Sequence, residues 1–587
     1  MRLRAFLIAL VMLAVEGTAM AQRLFTPNKI TQVVQYIERF YVEDRDLDKI
    51  MDKGIESMLQ ELDPHSVYIP KSDVQKANEP LDGSFVGVGI AFQLVKDTIN
   101  VVEVIHGGPA EKVGLLPGDK VVKVDDNPAV GDSITNKWVY DHLRGKKNTR
   151  VKLGIKRGGT TSLINFDIQR DAVPINSVNT YFMIDKEVGY IALSRFSRTS
   201  AKEVRDAIAD LKAQGMQSLV FDLRSNSGGF LDIAAEIVDE FLPADQLIVY
   251  TEGKSHDRQV MKSTAKGSFE TGRLVILIDE YSASASEIVS GAVQDHDRGI
   301  IIGRRSFGKG LVQRMFPTID GGQVRLTTSR YYTPSGRCIQ KPYNDGLQAY
   351  YNDIMNRYND KELMDPSKVQ VPDSLKYYTD NKRVVYGGGG ILPDIFVPID
   401  TTRASDYYIN LRAKNLINNY ALDYVGANRN ELLQKYPTYD DFHKNYRRLN
   451  IDKQFDKYVA EAGVKKTTLK PEWVIKWVAE ALKNETKDTI SPIESEDYSD
   501  MAKQLLSNPD LMKEVMKKAE AEDKKSKDII KNSEEYIHVT VKALIARNLY
   551  GARYFYEAMA EKDAGYNVAI DVIHNDKIFR RLNINNK

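Results

Sequence analysis

The sequence predicts a multidomain α/β protein: an α/β core, a β-rich domain inserted ahead of it, and helical regions at both ends. Three observations predict this. At 587 residues the chain is too long for one hydrophobic core and points to three or four domains. Residues 173–335 alternate β-type and helix-type segments, the pattern of a βαβ core. Residues 84–170 carry short β-type runs punctuated by glycine and proline, whereas 26–62 and 401–587 place apolar residues at helical spacing. The 82 basic residues balance 81 acidic ones, which gives no electrostatic case for a nucleic-acid partner or a membrane surface.

The elements follow in chain order. Met1-Arg-Leu-Arg4, the apolar run Ala5 to Val15 and Ala19-Met-Ala21 form a basic start, a short apolar stretch and a small-x-small cleavage site. Residues 1–21 are therefore expected to be a signal peptide, leaving Gln22 first and sending the protein to the periplasm, the envelope or beyond. No other run of 18 apolar residues exists, so no integral membrane segment is expected after its removal. Residues 22–80 form an N-terminal helical region, a lid or dimer element. In it Ile30, Val33, Val34, Ile37 and Tyr41, then Ile50, Ile55, Met58 and Leu59, recur at helical spacing, and Pro64 stops the pattern.

In residues 84–170, β-type runs at 86–94, 101–105, 120–124 and 151–155 are divided by Gly107-Gly-Pro109 and Leu116-Pro-Gly-Asp119. The core, 173–400, holds a nearly all-apolar strand at 274–279, as a centrally buried strand requires. A helix over 286–294 follows it. Polar residues 336–385 are expected to be an insertion over the surface, and Gly387-Gly-Gly-Gly390 a return turn. Residues 401–587 are expected to be a helical domain serving as scaffold, lid or partner surface. Trp473 and Trp477 share one helix face, and a last long helix starts near Val539. Cys338 is the only cysteine, so no intrachain disulfide can form.

The chemistry concentrates at Tyr281-Ser-Ala-Ser-Ala-Ser-Glu287 and Arg305-Ser-Phe-Gly-Lys-Gly-Leu-Val-Gln313. The first places serines at a strand-to-helix turn, where unpaired backbone N–H groups face incoming negative charge. Ser282, Ser284 and Ser286 compete as nucleophile and as N-cap. A serine needs a neighbour to take its proton, and a desolvated lysine such as Lys309 can do so without histidine. Three rival readings fail on their own terms. Gly303-Arg-Arg-Ser-Phe-Gly-Lys309 has P-loop spacing, but Gly310 stands where Ser/Thr would hold Mg²⁺. A Ser–His–Asp site through His296 or His256 lacks the Gly-x-Ser-x-Gly elbow. Eight scattered histidines without His-Glu-x-x-His give no metal site, and no cofactor is expected.

These motifs resemble the carboxyl-terminal processing, or tail-specific, protease family over residues 26–400. The resemblance implies a ClpP/crotonase-like αβ protease core with Ser284 as nucleophile and Lys309 as general base. It implies that Gln313, one helical turn beyond the lysine, orients it, and that Asp295 supports the site. Phe221-Asp-Leu-Arg-Ser-Asn-Ser-Gly-Gly229 carries the glycine pair associated with the oxyanion hole. The backbone N–H groups of Gly229 and Ala285 are the expected donors.

Residues 84–170 resemble a PDZ domain. Phe85-Val86-Gly87-Val88-Gly89-Ile90 is the candidate loop for a substrate carboxylate, with the peptide added as an edge strand. Arg144, in Leu143-Arg-Gly145, matches a position that gates the protease site. The expected partners are proteins or peptides with free, apolar C-termini, and homo-oligomerisation is open. The alternative is a PDZ-based periplasmic scaffold or chaperone whose protease core is silent.

Overall fold

A computed structural model describes residues 29–466 and 507–584, apart from 96, 159, 161, 402 and 404. The signal peptide, Trp473 and Trp477 lie outside the described residues. The chain forms two compact units: one is the segment up to Ala77 with Val312–Ser329 and Tyr343–Tyr350, and the other is the remainder.

The smaller unit begins with helices over 29–40 and Leu47–Gln60. Asp46 caps the second, its carboxylate accepting from Lys49 N–H. Ile30, Val33, Ile50 and Met58 stay exposed, while Val34, Ile37 and Ile55 are half-buried and Leu59 is buried. The strand Val67–Ile69 pairs antiparallel with residues 323–325.

In the larger unit, residues 84–174 fold as the predicted β-rich domain. Ile90–Val95, Thr98–Val104, Lys120–Val124, Arg150–Lys156 and Ile164–Gln169 form one antiparallel sheet in that order, with Ile90–Val95 at an edge. Their alternation puts Ile99, Val101, Val121, Leu153, Ile155 and Ile168 into one core, closed by Val139 and Leu143 of the helix Asn136–Leu143.

The core sheet runs Val178–Met183, Val188–Leu193, Ser218–Asp222, Leu274–Ile278, Ile300–Gly303, Ile395–Phe396. All neighbours after the first pair are parallel. A parallel sheet must be covered on both faces. Ala285–Asp295, buried at every residue, belongs to the helical layer that follows from βαβ connection. The other face is covered by the chain's end: Tyr190, Val220, Val275, Leu277, Ile300 and Ile302 pack with Tyr566, Ala569, Val572 and Ile573 of the helix Ala564–Ile573. The final helices are thus part of the core rather than of a detached helical domain.

Before them, helices between 406 and 461 pack against Pro509–Tyr550, a single helix of 42 residues. That helix begins well before Val539. In residues 336–385, Arg337, Ile339, Leu363 and Val385 are buried anchors, while Tyr351, Met355, Tyr358 and Tyr378 stay exposed. Among the described residues no helix is long and apolar enough to cross a membrane.

Candidate active site

Leu274–Ile278 leads through a short turn into Ala285–Asp295, and Ser284 is the residue the turn strains. Its φ of 56° and ψ of −112° are rare for an L-residue and cost on the order of 1–3 kcal/mol. The helix starts at Ala285, so Ser284 occupies the N-cap position.

Hydrogen bonding separates the three competing serines. Ser282 Oγ donates to Leu223 O at 2.9 Å and accepts from Asp279 N–H. Ser286 Oγ donates to Asn226 O at 2.8 Å. Both side chains are buried and committed to backbone, whereas Ser284 is only half-buried.

Asn226 builds the facing wall. Fully buried, it donates to Leu193 O, accepts Gly228 N–H on Oδ1 at 2.9 Å, and accepts Ala283 N–H on its carbonyl at 3.0 Å. This draws the glycine pair onto the serine turn. At Gly228, with φ 102°, a Cβ would come within 2.8 Å of Ser284 Cβ, and at Gly229 within 2.0 Å of Phe196 O. Among the described residues, Gly229 N–H and Ala285 N–H donate to no acceptor, while Gly228 N–H is used by Asn226.

The lysine loop is tied to this turn by one carboxylate. Glu287, fully buried, accepts Ser284 N–H at 2.7 Å and Lys309 N–H at 2.9 Å on Oε2. Its Oε1 accepts Gly308 N–H at 2.7 Å and the Ser306 hydroxyl. Two N–H donors converging on one oxygen lie no more than about 6 Å apart. Phe307 N–H adds a bond to Ser282 O at 3.0 Å. Burial pushes the Glu287 carboxyl above its usual range, and the bonds from Ser306, Lys309, Gly308 and Ser284 pull the other way. The loop amides that resemble a P-loop therefore wrap a carboxylate of this chain.

Gln313 sits in the strand Leu311–Pro317, not one helical turn beyond Lys309. The segment pairs with Gln323–Tyr332, which holds it extended. Within its unit, Gln313 Nε2 donates to Thr327 Oγ1 at 3.1 Å, and that hydroxyl donates to Asp63 at 3.0 Å.

Asp295 lies at the far end of the helix, about 16 Å along its axis from Ser284. There it pairs with buried Arg337 at 2.8 Å and accepts from Thr333 and Ser335 N–H, stapling the turn after Gln323–Tyr332. His296, next to it, has its ring nitrogens on Asp380 and Leu247 O, as far from Ser284 as Asp295. Burial raises the Cys338 thiol, which disfavours its thiolate.

In the β-rich domain, Phe85, Val86 and Gly87 belong to a strand paired with Asp171–Pro174, and Ile90 opens the edge strand. Between them, Val88 O and Gly89 O are taken by Ala110 N–H at 2.7 Å and Ile105 N–H at 3.0 Å. Val88 N–H and Gly89 N–H donate to nothing among the described residues. Gly89 has φ 87°, so this is a turn of free amides beside an open strand edge. Arg144 lies over the Phe85 ring at 4.5 Å and pairs with Glu79.

Comparison with known proteins bears on the family. A model described as Peptidase family S41 matches residues 187–348, a PDZ domain model matches 86–168, and a family of unknown function matches 407–491. The chain is 35% identical over 350 residues to the carboxy-terminal-processing protease of Bartonella bacilliformis, covering 57% of this chain and 79% of that protein. The chain belongs to the carboxy-terminal processing protease family. It is a serine endopeptidase with a PDZ domain. The carboxy-terminal processing protease CtpB of Bacillus subtilis is 33% identical, over 56% of this chain and 69% of its own length. A solved structure of a photosystem II D1 C-terminal processing protease aligns at 24% identity over 62% of this chain and 85% of its own, with a TM-score of 0.33.

Sequence reasoning assigns no role to Glu287 or Asn226. The Ser284-x-x-Glu287 spacing is that of a capping box, the signal that could have found the first. In this protease Glu287→Gln turns an amide NH₂ toward one pair of N–H or O–H donors. Leaving buried donors unpaired costs about 1–3 kcal/mol each, so the variant should unfold at lower temperature and cut peptides more slowly. Thermal unfolding and peptide cleavage measure both; wild-type values in both would deny Glu287 this role.

Proposed function

We propose that Ser284 and Lys309 are the catalytic dyad, in an αβ core of the ClpP/crotonase type, and that the protease cuts proteins at or near their C-termini. The observation that carries the dyad is the shared Glu287 oxygen, which holds Ser284 N–H and Lys309 N–H together beside the only half-exposed serine of the triplet. Ser284 Oγ attacks the scissile carbonyl. The neutral Lys309 amine takes the hydroxyl proton and passes it to the leaving amine. Water then hydrolyses the acyl-enzyme, with Lys309 as base again. The Gly229 and Ala285 N–H groups receive the oxyanion, each worth about 3–4 kcal/mol of barrier. Gln313 orients the lysine, and Asp295 supports the site indirectly, through the turn it staples.

The Phe85–Ile90 loop binds the substrate carboxylate through the amides of Val88 and Gly89. The peptide adds to Ile90–Val95, with its last apolar side chain toward the Asn136–Leu143 helix. Arg144, on Phe85 of that loop, couples occupancy to the protease site. We read 1–21 as a cleaved export signal, 22–80 as the N-terminal helical region, 84–170 as the PDZ domain, 173–400 as the core and 401–587 as the C-terminal helical domain. The exported protein acts in the periplasm or at the envelope.

A peptide with a free, apolar C-terminus and its C-terminal amide test the recognition half. The free acid should bind Ser284→Ala protein tightly in calorimetry, and wild type should cut it faster, with the cut mapped by mass spectrometry. Equal binding and cleavage of acid and amide would remove carboxylate recognition.

A further inference from the structure

The loop that presents the glycine pair leaves the end of strand Ser218–Asp222. Its first charged residue, Arg224, is gripped from two sides. Arg224 Nε lies 2.9 and 3.0 Å from the two Asp222 oxygens, and the backbone N–H of Arg224 also donates to Asp222. From the other side Arg224 NH1 donates to Asp563 Oδ1 at 2.8 Å, across 339 residues of sequence. Asp563 in turn caps the helix Ala564–Ile573, accepting Tyr566 N–H at 2.9 Å. Tyr190 OH, from the neighbouring strand, donates to Asp222 at 2.6 Å, and its ring meets Tyr566 edge-on at 5.5 Å. At Gly565 a Cβ would stand 2.9 Å from Arg224 NH1, so the helix start is fitted to the guanidinium.

The next residues carry this anchorage to the site. Ser225 is held at φ 58° by Asp279, which accepts its N–H at 2.9 Å. Asn226 follows and fixes Gly228. Burial works against the Arg224 charge, yet Asp222 and Asp563 hold it well above its ordinary range; burial likewise works against the Asp563 carboxylate, yet Arg224 holds it below its own.

We propose that Asp563, from the C-terminal helical region, is a positioning residue of the protease: through Arg224 it fixes the loop that aims Gly229 N–H at the oxyanion. The helical region then serves catalysis directly, not only by covering the sheet. This rests on the Ser284 and Gly229 reading above. An N–H donor misplaced by a fraction of an ångström loses transition-state stabilisation while ground-state binding is kept.

Asp563→Asn in the full chain separates the two roles of this residue, because asparagine still caps a helix but carries no charge for Arg224. The expected result is a kcat lowered about tenfold or more with KM within about twofold. Affinity for a substrate-like peptide aldehyde, whose adduct with Ser284 presents an oxyanion, should fall by the same factor. Affinity for the product peptide acid should not change, and the melting temperature should stay close to wild type. Asp563→Ser, another capping residue, should behave alike. Unchanged kcat and aldehyde affinity, or a loss of kcat matched by loss of folded protein in both variants, would overturn the proposal. If Ser284→Ala still cleaved, the dyad reading would fail instead; a dead Ser284→Ala beside an unaffected Asp563→Asn would overturn only the role of Asp563.

Discussion

Replacing Ser284 by alanine should lower kcat by at least about 10⁴-fold and leave a folded protein. Removing Oγ takes away the bond-forming atom but no packing, since the half-buried side chain holds no place in the core. Relief of the φ 56° strain is not available to alanine, so stability should change little. The flanking serines predict the opposite pattern. Ser282→Ala leaves Leu223 O and Asp279 N–H with one fewer partner in a buried turn, and Ser286→Ala removes a bond to Asn226 O. Each should cost about 1–3 kcal/mol of stability while keeping measurable cleavage. Unfolding curves and single-turnover cleavage of one peptide distinguish the three. A Ser284→Ala enzyme that cuts at wild-type rate, beside a dead Ser282→Ala or Ser286→Ala, would move the nucleophile.

Local chemistry made much of this legible. The apolar run Leu274–Ile278 announces a strand buried on both faces, and it is the middle of a parallel sheet. Short β-type runs broken by Gly-Gly-Pro and Pro-Gly-Asp announce the β-rich domain, because those residues punctuate strands whatever lies around them. What covers the second face of the sheet could not be read. Val572 and Ile573 look like any apolar residues on a helix, and nothing local says that their partners are Val275 and Ile300. Gln313 failed differently. Counting four residues from Lys309 assumes a helix, while pairing with a later strand decides that the segment is extended. Asn226 and Glu287 work through backbone groups of distant segments, so their residue types alone carried little signal.

Lys309 is the other group whose loss should be near-total. Lys309→Ala should fall to within roughly tenfold of the Ser284→Ala floor, and the double variant should be no slower than either single one, because the two act as a unit. The Glu287 carboxylate beside the loop is already occupied. Its oxygens already take Ser284 N–H, Lys309 N–H, Gly308 N–H and the Ser306 hydroxyl, four donors for about four lone-pair sites. Arginine at 309 keeps its proton at any working pH and cannot serve as base, so Lys309→Arg should be as inactive as Lys309→Ala. A small primary amine added to Lys309→Ala should restore part of the rate, increasingly as pH rises and more of the amine is neutral, and should do nothing for Ser284→Ala. Substantial activity in Lys309→Arg would exclude lysine as the base. Amine rescue of both variants alike would show that the added amine attacks the substrate itself.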